Sequence, residues 1–184
     1  MAFAAACAER QLPNYASFSK VTGTGNPTLL AKALTCVWED IEGNSAAHVE
    51  LREKLNSCMS LLPKDEVEGL GQHTYANDAV ASVAYAIRAR LTGECQEAMW
   101  AARRAYEALD HYVIARFNPT IVEPDAENQV TAHPLVQTEL RRQRADLSQL
   151  QEAALNPANE RKVIIDVHNR SQSDAALFFD SRIG

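Results

Sequence analysis

The chain has 184 residues, 46% apolar and 23% charged, with 7 Gly and 7 Pro; a chain of that length buries roughly 70% of its unfolded surface, which suits one globular domain and excludes a disordered or fibrous protein. Its 18 Lys and Arg stand against 24 Asp and Glu, a net charge of −6, so there is no global positive field to gather nucleic acid or anionic lipid.

Residues 2 to 12 read as a helix without a cap, because Phe3, Cys7 and Arg10 keep helical spacing from the outset, and a start upstream of Met1 is expected. Pro13 suits the first turn of a second short helix, and Gly23 is placed to end it in a left-handed conformation before the loop Thr24-Gly25. Asn26 followed by Pro27 is an N-cap with Pro at the first helical position. From there Leu30, Leu34, Val37 and Ile41 form one face up to Gly43. The next helix, capped by Asn44 or Ser45, carries Leu51, Leu55, Cys58 and Leu62 on one face and stops at Pro63. Residues 63 to 73 read as a polar connection.

From Tyr75 to Leu91 the stripe is Ala76, Val80, Val83, Ile87 and Leu91, with Ala79, Ala84 and Ala86 small enough for close helix approach, and Gly93 closes the helix. Cys95, Met99, Ala102, Tyr106, Leu109, Val113 and Phe117 make the longest stripe. The two helices are therefore expected to form an antiparallel hairpin at the centre of the fold. Residues 118 to 132 read as a loop ending at Thr131 as N-cap. Beyond it Val136, Leu140, Gln143, Leu147, Leu150 and Ala154 keep a coiled-coil-like rhythm, with one amide where an apolar residue is expected. The run Lys162 to Val167 suits a strand by its β-branched content, but Val163, Ile164 and Val167 also share a helical face, and helix is the preferred reading. A tail of about residues 171 to 184 follows, with Leu177, Phe178 and Phe179 expected to pack back on the rest. The expectation is an all-α, single helical domain over residues 1–184, a bundle of seven or eight helices.

Three stretches carry a family likeness: Phe3-Ala-Ala-Ala-Cys7 with Glu9, Arg10, Leu12, Pro13, Asn14 and Tyr15; Thr22-Gly23-Thr-Gly25-Asn26-Pro27 leading to Val37-Trp38-Glu39; and His133-Pro134-Leu135 with Glu139 and Gln143. By these the chain resembles the YjaG-like family of small bacterial helical proteins, a domain of unknown function. The resemblance implies an all-helical bacterial cytosolic protein and brings no activity, cofactor or catalytic residue with it.

The densest polar cluster beside an apolar helix is Glu9, Arg10, Asn14 and Tyr15. As a pocket wall it would use Arg10 as a fork for a carboxylate or phosphate, with Asn14 and Tyr15 adding hydrogen bonds. The competing reading is a helix-to-helix corner in which Arg10 pairs with a neighbouring acid. Trp38, beside Glu39 and Asp40, is either an aromatic wall of the same pocket or, as preferred, a core residue with its N–H at the boundary. These five, Glu9, Arg10, Asn14, Tyr15 and Trp38, are the candidate ligand-binding residues.

No catalytic residue and no metal ligand set is assigned. The sequence has no HExxH, no Glu-x-x-His, no GxSxG and no phosphate loop, and Gly23-Thr-Gly25 reads as a helix end plus a turn. Cys7, Cys36, Cys58 and Cys95 contain no CxxC pair and each falls in an apolar helical pattern, which points to buried thiols. Arg141, Arg142 and Arg144 alternate with acids as on a solvated face, which argues against nucleic acid. No apolar run approaches the ~20 residues that cross a bilayer, and the first ten residues lack a basic leader, so the expected place is the cytoplasm. No cofactor is expected. The leading expectation is a non-catalytic helical module that binds a protein partner or forms a homo-oligomer. The second is a small-ligand-binding or enzymatic bundle with its site at the Glu9 to Tyr15 corner.

Overall fold

In the computed structural model, which describes residues 1–43, 48–62, 70–117 and 126–183, the chain is helical throughout, and no strand occurs among the described residues. The elements are α1 (Ala2–Glu9), α2 (Leu12–Thr22), α3 (Pro27–Ile41), α4 (His48–Met59), α5 (Leu70–Thr92), α6 (Cys95–Phe117), α7 (Ala126–Ala132), α8 (Pro134–Ala154) and α9 (Pro157–Ile183). Eight of these have eight residues or more, and α7 is a seven-residue piece ahead of α8. The all-α bundle expected from the sequence is what forms.

The punctuation is largely as the residues dictate. Asn26 Oδ1 accepts a hydrogen bond from the Leu29 N–H at 3.0 Å, with Pro27 opening α3, and Gly23 ends α2 at φ +68°. The segment Lys162 to Val167 lies inside α9. The same helix continues through residues 171–183, where the sequence suggested a tail; the side chains of Leu177, Phe178 and Phe179 lie outside the described residues, as do Asn44 and Ser45.

Three features differ from expectation. The centre is α1, which packs against α3, α5, α6, α8 and α9, and the α5–α6 hairpin, although the most extensive helix pair, flanks it. Ala2, Ala4, Ala5, Ala6, Cys7 and Ala8 are all buried: only a helix with almost no side chain leaves room for five neighbours, and a helix apolar all round belongs inside. Second, α7 occupies residues read as loop, with Val130 buried against Leu109, Val113 and Val136. The cap of α8 is then His133, whose Nδ1 accepts from the Leu135 N–H at 3.3 Å, rather than Thr131. Third, two stripes are rotated. On α6 Leu109 and Val113 of the expected stripe are buried, but the other buried residues described are Glu97, Ala101, Ala105 and Ala108, while Cys95 is exposed and Met99 is 61% exposed. Alanines let α6 lie close to α5, close enough for Ser82 Oγ on α5 to donate to the Ala101 carbonyl at 3.2 Å.

On α8, Leu147 is 43% exposed and Asp146 is buried. The inward face runs Val136, Glu139, Gln143, Asp146, Leu150, Ala153, in steps of 3, 4, 3, 4 and 3. This is a regular seven-residue rhythm like the one expected, in a neighbouring register and with polar residues at its middle.

Gly25 (φ +84°) lies where the chain crosses Tyr15, and a Cβ there would stand 2.5 Å from the Tyr15 hydroxyl. Gly93 (φ +74°) has open space around the same position. Urea unfolding should therefore show Gly93→Ala losing only the cost of a left-handed alanine, about 1–2 kcal/mol, and Gly25→Ala losing more. Tyr15→Phe should narrow that difference, and equal losses at the two glycines would contradict the steric account.

Candidate functional site

Arg10 caps the C-terminus of α1, where a cation is favoured by the helix dipole, and is only 2% exposed. Its guanidinium is committed on every side. Nε donates to both oxygens of Glu139 (3.2 and 3.0 Å), one terminal nitrogen donates to Glu139 Oε1 at 3.0 Å, and the other donates to Asp146 Oδ2 at 2.9 Å. Cys7 Sγ lies 3.5 Å away. Arg170 of α9 then donates to the second oxygen of Asp146 at 2.6 Å, and Gln143 Nε2 donates to Glu139 Oε1 and to the Ala102 carbonyl, both at 3.0 Å. Two guanidinium groups face two carboxylates, so the charge balances, and α1, α6, α8 and α9 are joined at one point.

Desolvation opposes the charge on Arg10, but Glu139 and Asp146 outweigh it and hold its pKa above the ordinary arginine value. Burial pushes the Cys7 thiol far up despite the neighbouring guanidinium, and burial raises Cys58 to about 12. Cys7 is therefore a packed, protonated thiol, not a nucleophile.

The other candidates sit around the same corner and are likewise partnered. Tyr15, fully buried, donates from its hydroxyl to the Leu61 carbonyl at 3.3 Å and accepts from the Asn26 N–H at 3.4 Å; burial raises its pKa. Asn14 Nδ2 donates to Gln11 Oε1 at 2.6 Å. Trp38 is 1% exposed, a core residue with its Nε1 donating to Glu9 Oε2 at 3.1 Å. Its indole stacks on His168 of α9 with centroids 4.1 Å apart and planes 13° from parallel. His168 Nδ1 lies 2.6 Å from Glu42 Oε1. Burial raises the pKa of Glu9, opposed by the Trp38 hydrogen bond and by His168. The structure brings Glu9 and Trp38 into contact, and it turns Arg10 to α8, away from any open surface.

The sequence reading did not place Glu139 and Asp146 as partners of Arg10, nor did it find the pairs His168–Glu42 and His111–Asp78. The signal for the first two was the amide at Gln143, one member of a polar run at seven-residue spacing. The other pairs join residues more than 30 apart in sequence, and no local spacing marks them.

Asp78 on α5 is 2% exposed. It takes Arg104 at 3.2 Å and His111 Nδ1 at 3.4 Å, both from α6, and Arg104 also pairs with Glu107 at 3.0 Å. His111 has its pKa raised, first by Asp78 and against desolvation, with Asp110 and Glu107 adding to the rise. No group of three or more His, Cys, Asp or Glu able to hold a metal ion occurs among the described residues. No described helix is long and apolar enough to cross a membrane.

The outer face of α5 and α6 has a different character. Tyr85 and Trp100 stack with centroids 6.3 Å apart; the Arg88 guanidinium lies 5.9 Å over Tyr85 and that of Arg103 lies 5.3 Å over Trp100. Met59, 50% exposed, borders Tyr85 and Arg88 in a small hollow of about 100 Å³. Met99, 61% exposed, lies next to Trp100 in the chain.

Among the described residues, removing Arg10 leaves the buried Glu139 without a cationic partner and Asp146 with Arg170 alone. Arg10→Met should cost about 3–5 kcal/mol in urea unfolding, and adding Glu139→Gln and Asp146→Asn should recover part of that loss; a single variant of wild-type stability would refute the network's role. For His111 the raised pKa means that its pairing supports the fold fully below the unfolded value of about 6.5. The support fades as pH rises through the higher folded value, and exposure of the ring to solvent keeps it small. Titration followed by imidazole proton shifts should place His111 above an ordinary histidine and Asp78→Asn should bring it down; an unmoved midpoint in the variant would exclude the pairing.

Comparison with known proteins gives a consistent result. None of the curated proteins matches the chain. Among solved structures, a crystal structure of a DUF416 family protein from Shewanella baltica OS155 is similar with a TM-score of 0.78. The likeness covers 92% of this chain and 85% of that one at 21% identity, which speaks to the fold alone. The model of the same family, described as a protein of unknown function, matches residues 1–175. The chain therefore belongs to the DUF416 family.

Proposed function

We propose that the chain is a non-catalytic helical module, working in the cytoplasm, that associates with a second copy of itself through the outer face of α5 and α6. The observation that carries this reading is the Arg88–Tyr85–Trp100–Arg103 ladder beside Met59 and Met99. Tyr, Trp, Met and Arg are the residue types enriched at the centres of protein interfaces, where large rigid rings fill pockets at little entropic cost. Two of the exposed large apolar residues, Met59 and Met99, fall beside these rings, which makes the face one where contact area can be gained.

The charges on the face favour a copy of itself as partner. Arg88 pairs with Glu97 at 2.7 Å and Arg103 with Glu107 at 2.7 Å, so each guanidinium of the face brings its own counter-charge and the repulsion between two copies is reduced. A face of that kind can complement itself across a two-fold axis, where each patch must serve as its own counterpart. The Glu9 to Tyr15 corner has less to offer a ligand, since the Arg10 fork is closed on Glu139 and Asp146.

Light scattering coupled to gel filtration should give twice the 20.3 kDa mass of one chain. Trp100→Ala combined with Met99→Asp, both on the outer face, should raise the dimer dissociation constant by about 30-fold or more, as expected of an interface hot spot. A strictly monomeric wild type would overturn self-association and leave a different protein as the partner of this face.

A further inference from the structure

A second concave feature lies away from the α5–α6 outer face. Between the start of α1 and helices α3, α5, α8 and α9 is an open cleft of about 330 Å³. Ile41, Leu150 and Ile164 line it, each only half-buried, so each has apolar surface left over in the cleft. The ion pair of Asp40 with Arg90 lies in the same wall, the carboxylate 8% and the guanidinium 28% exposed; Glu160 of α9 lines the cleft as well, as does Met1, whose sulfur lies 3.7 Å from the Arg90 guanidinium.

The volume is that of a small-molecule site, and an apolar wall with a few convergent charges is the usual make-up of one. The charges decide the class of ligand. Both signs line one small cleft, so a ligand with a single charge meets repulsion as well as attraction in a partly desolvated setting. A molecule with an ammonium and a carboxylate close together can share the Asp40–Arg90 ion pair, its ammonium reaching Asp40 and Glu160, which is unpaired among the described residues, and its carboxylate the partly exposed Arg90 guanidinium. An apolar branch on the same molecule covers the free surface of Ile41, Leu150 and Ile164. We infer that this cleft binds a small zwitterion with an apolar side chain, the class of the aliphatic α-amino acids. The inference is independent of the α5–α6 face.

The test is thermal unfolding of the full chain with three probes of one carbon skeleton: L-leucine, 3-methylbutylamine, which lacks the carboxylate, and 4-methylpentanoate, which lacks the ammonium. At ten times its dissociation constant L-leucine should raise the melting temperature by about 3–6 °C, and each single-charge analogue at the same concentration by less than half as much. Ile164→Trp, which fills the cleft, should abolish the shift. Glu160→Gln, on the exposed first turn of α9, should weaken it several-fold and carries the test if Ile164→Trp does not fold. No shift with L-leucine, an equal shift with either analogue, or a full shift retained in the folded variants would overturn the inference. Light scattering on the same samples keeps this result separate from that for self-association.

Discussion

The guanidinium of Arg10 is the constraint around which the C-terminal half of the molecule is arranged. An isolated charge at 2% exposure is strongly unfavourable, so the position of Arg10 at the end of α1 demands carboxylates within hydrogen-bonding reach. Glu139 and Asp146 meet that demand because they stand seven residues apart on one face of α8. The pair fixes the rotation of α8 about its own axis: a turn of one position would bring Leu140 and Leu147 inward and leave Arg10 without partners. An apolar core would tolerate such slippage at modest cost, whereas a buried charge network tolerates very little. Arg170 extends the constraint to α9 through the second oxygen of Asp146.

The alanine surface of α1 and the polar point at its end are two parts of one arrangement. Six buried small residues allow five helices to reach the same axis, but alanines alone give little shape to specify which helix goes where. The specificity comes from the end of the helix, where Glu9 meets Trp38 of α3 and Arg10 meets α8. His168 completes the other side by stacking on Trp38 and reaching Glu42, so α9 is held from two sides within one turn, by His168 and by Arg170. These polar groups are engaged in holding the bundle together, which is why the contacts proposed with other molecules fall on the aromatic face of α5 and α6 and in the cleft beside Asp40 and Arg90.

How much of this could be read from the residues follows from the range of the forces involved. Caps and helix breaks are local: Asn26-Pro27, Gly23 and Gly93 mark their boundaries because each acts within a few residues. The apolar face of α3 was legible for the same reason. The register of α8 was not, because hydrophobic spacing alone favours Leu140 and Leu147, and the opposing preference comes from a charge 129 residues away in sequence. On α6 Leu109 and Val113 of the expected stripe are buried, but its first members Cys95 and Met99 are not, because close approach to α5 selects alanines there. Of the five candidate site residues, Trp38 is in the core as preferred. Arg10 pairs with acids, as the corner reading allowed, though with distant ones instead of neighbours.

The Arg10 network also has a consequence in time. Its acids follow it by 129 and 136 residues, so during synthesis at roughly 5–20 residues per second α1 exists for about 6 to 26 s before the first of them is made. Through that interval the alanine helix cannot take its place in the interior with Arg10 neutralised. The local α5–α6 hairpin can close in the meantime, as short-range pairings generally do first. The most N-terminal helix is thus the last to be locked, and the middle of the chain serves as the platform on which its two ends are joined.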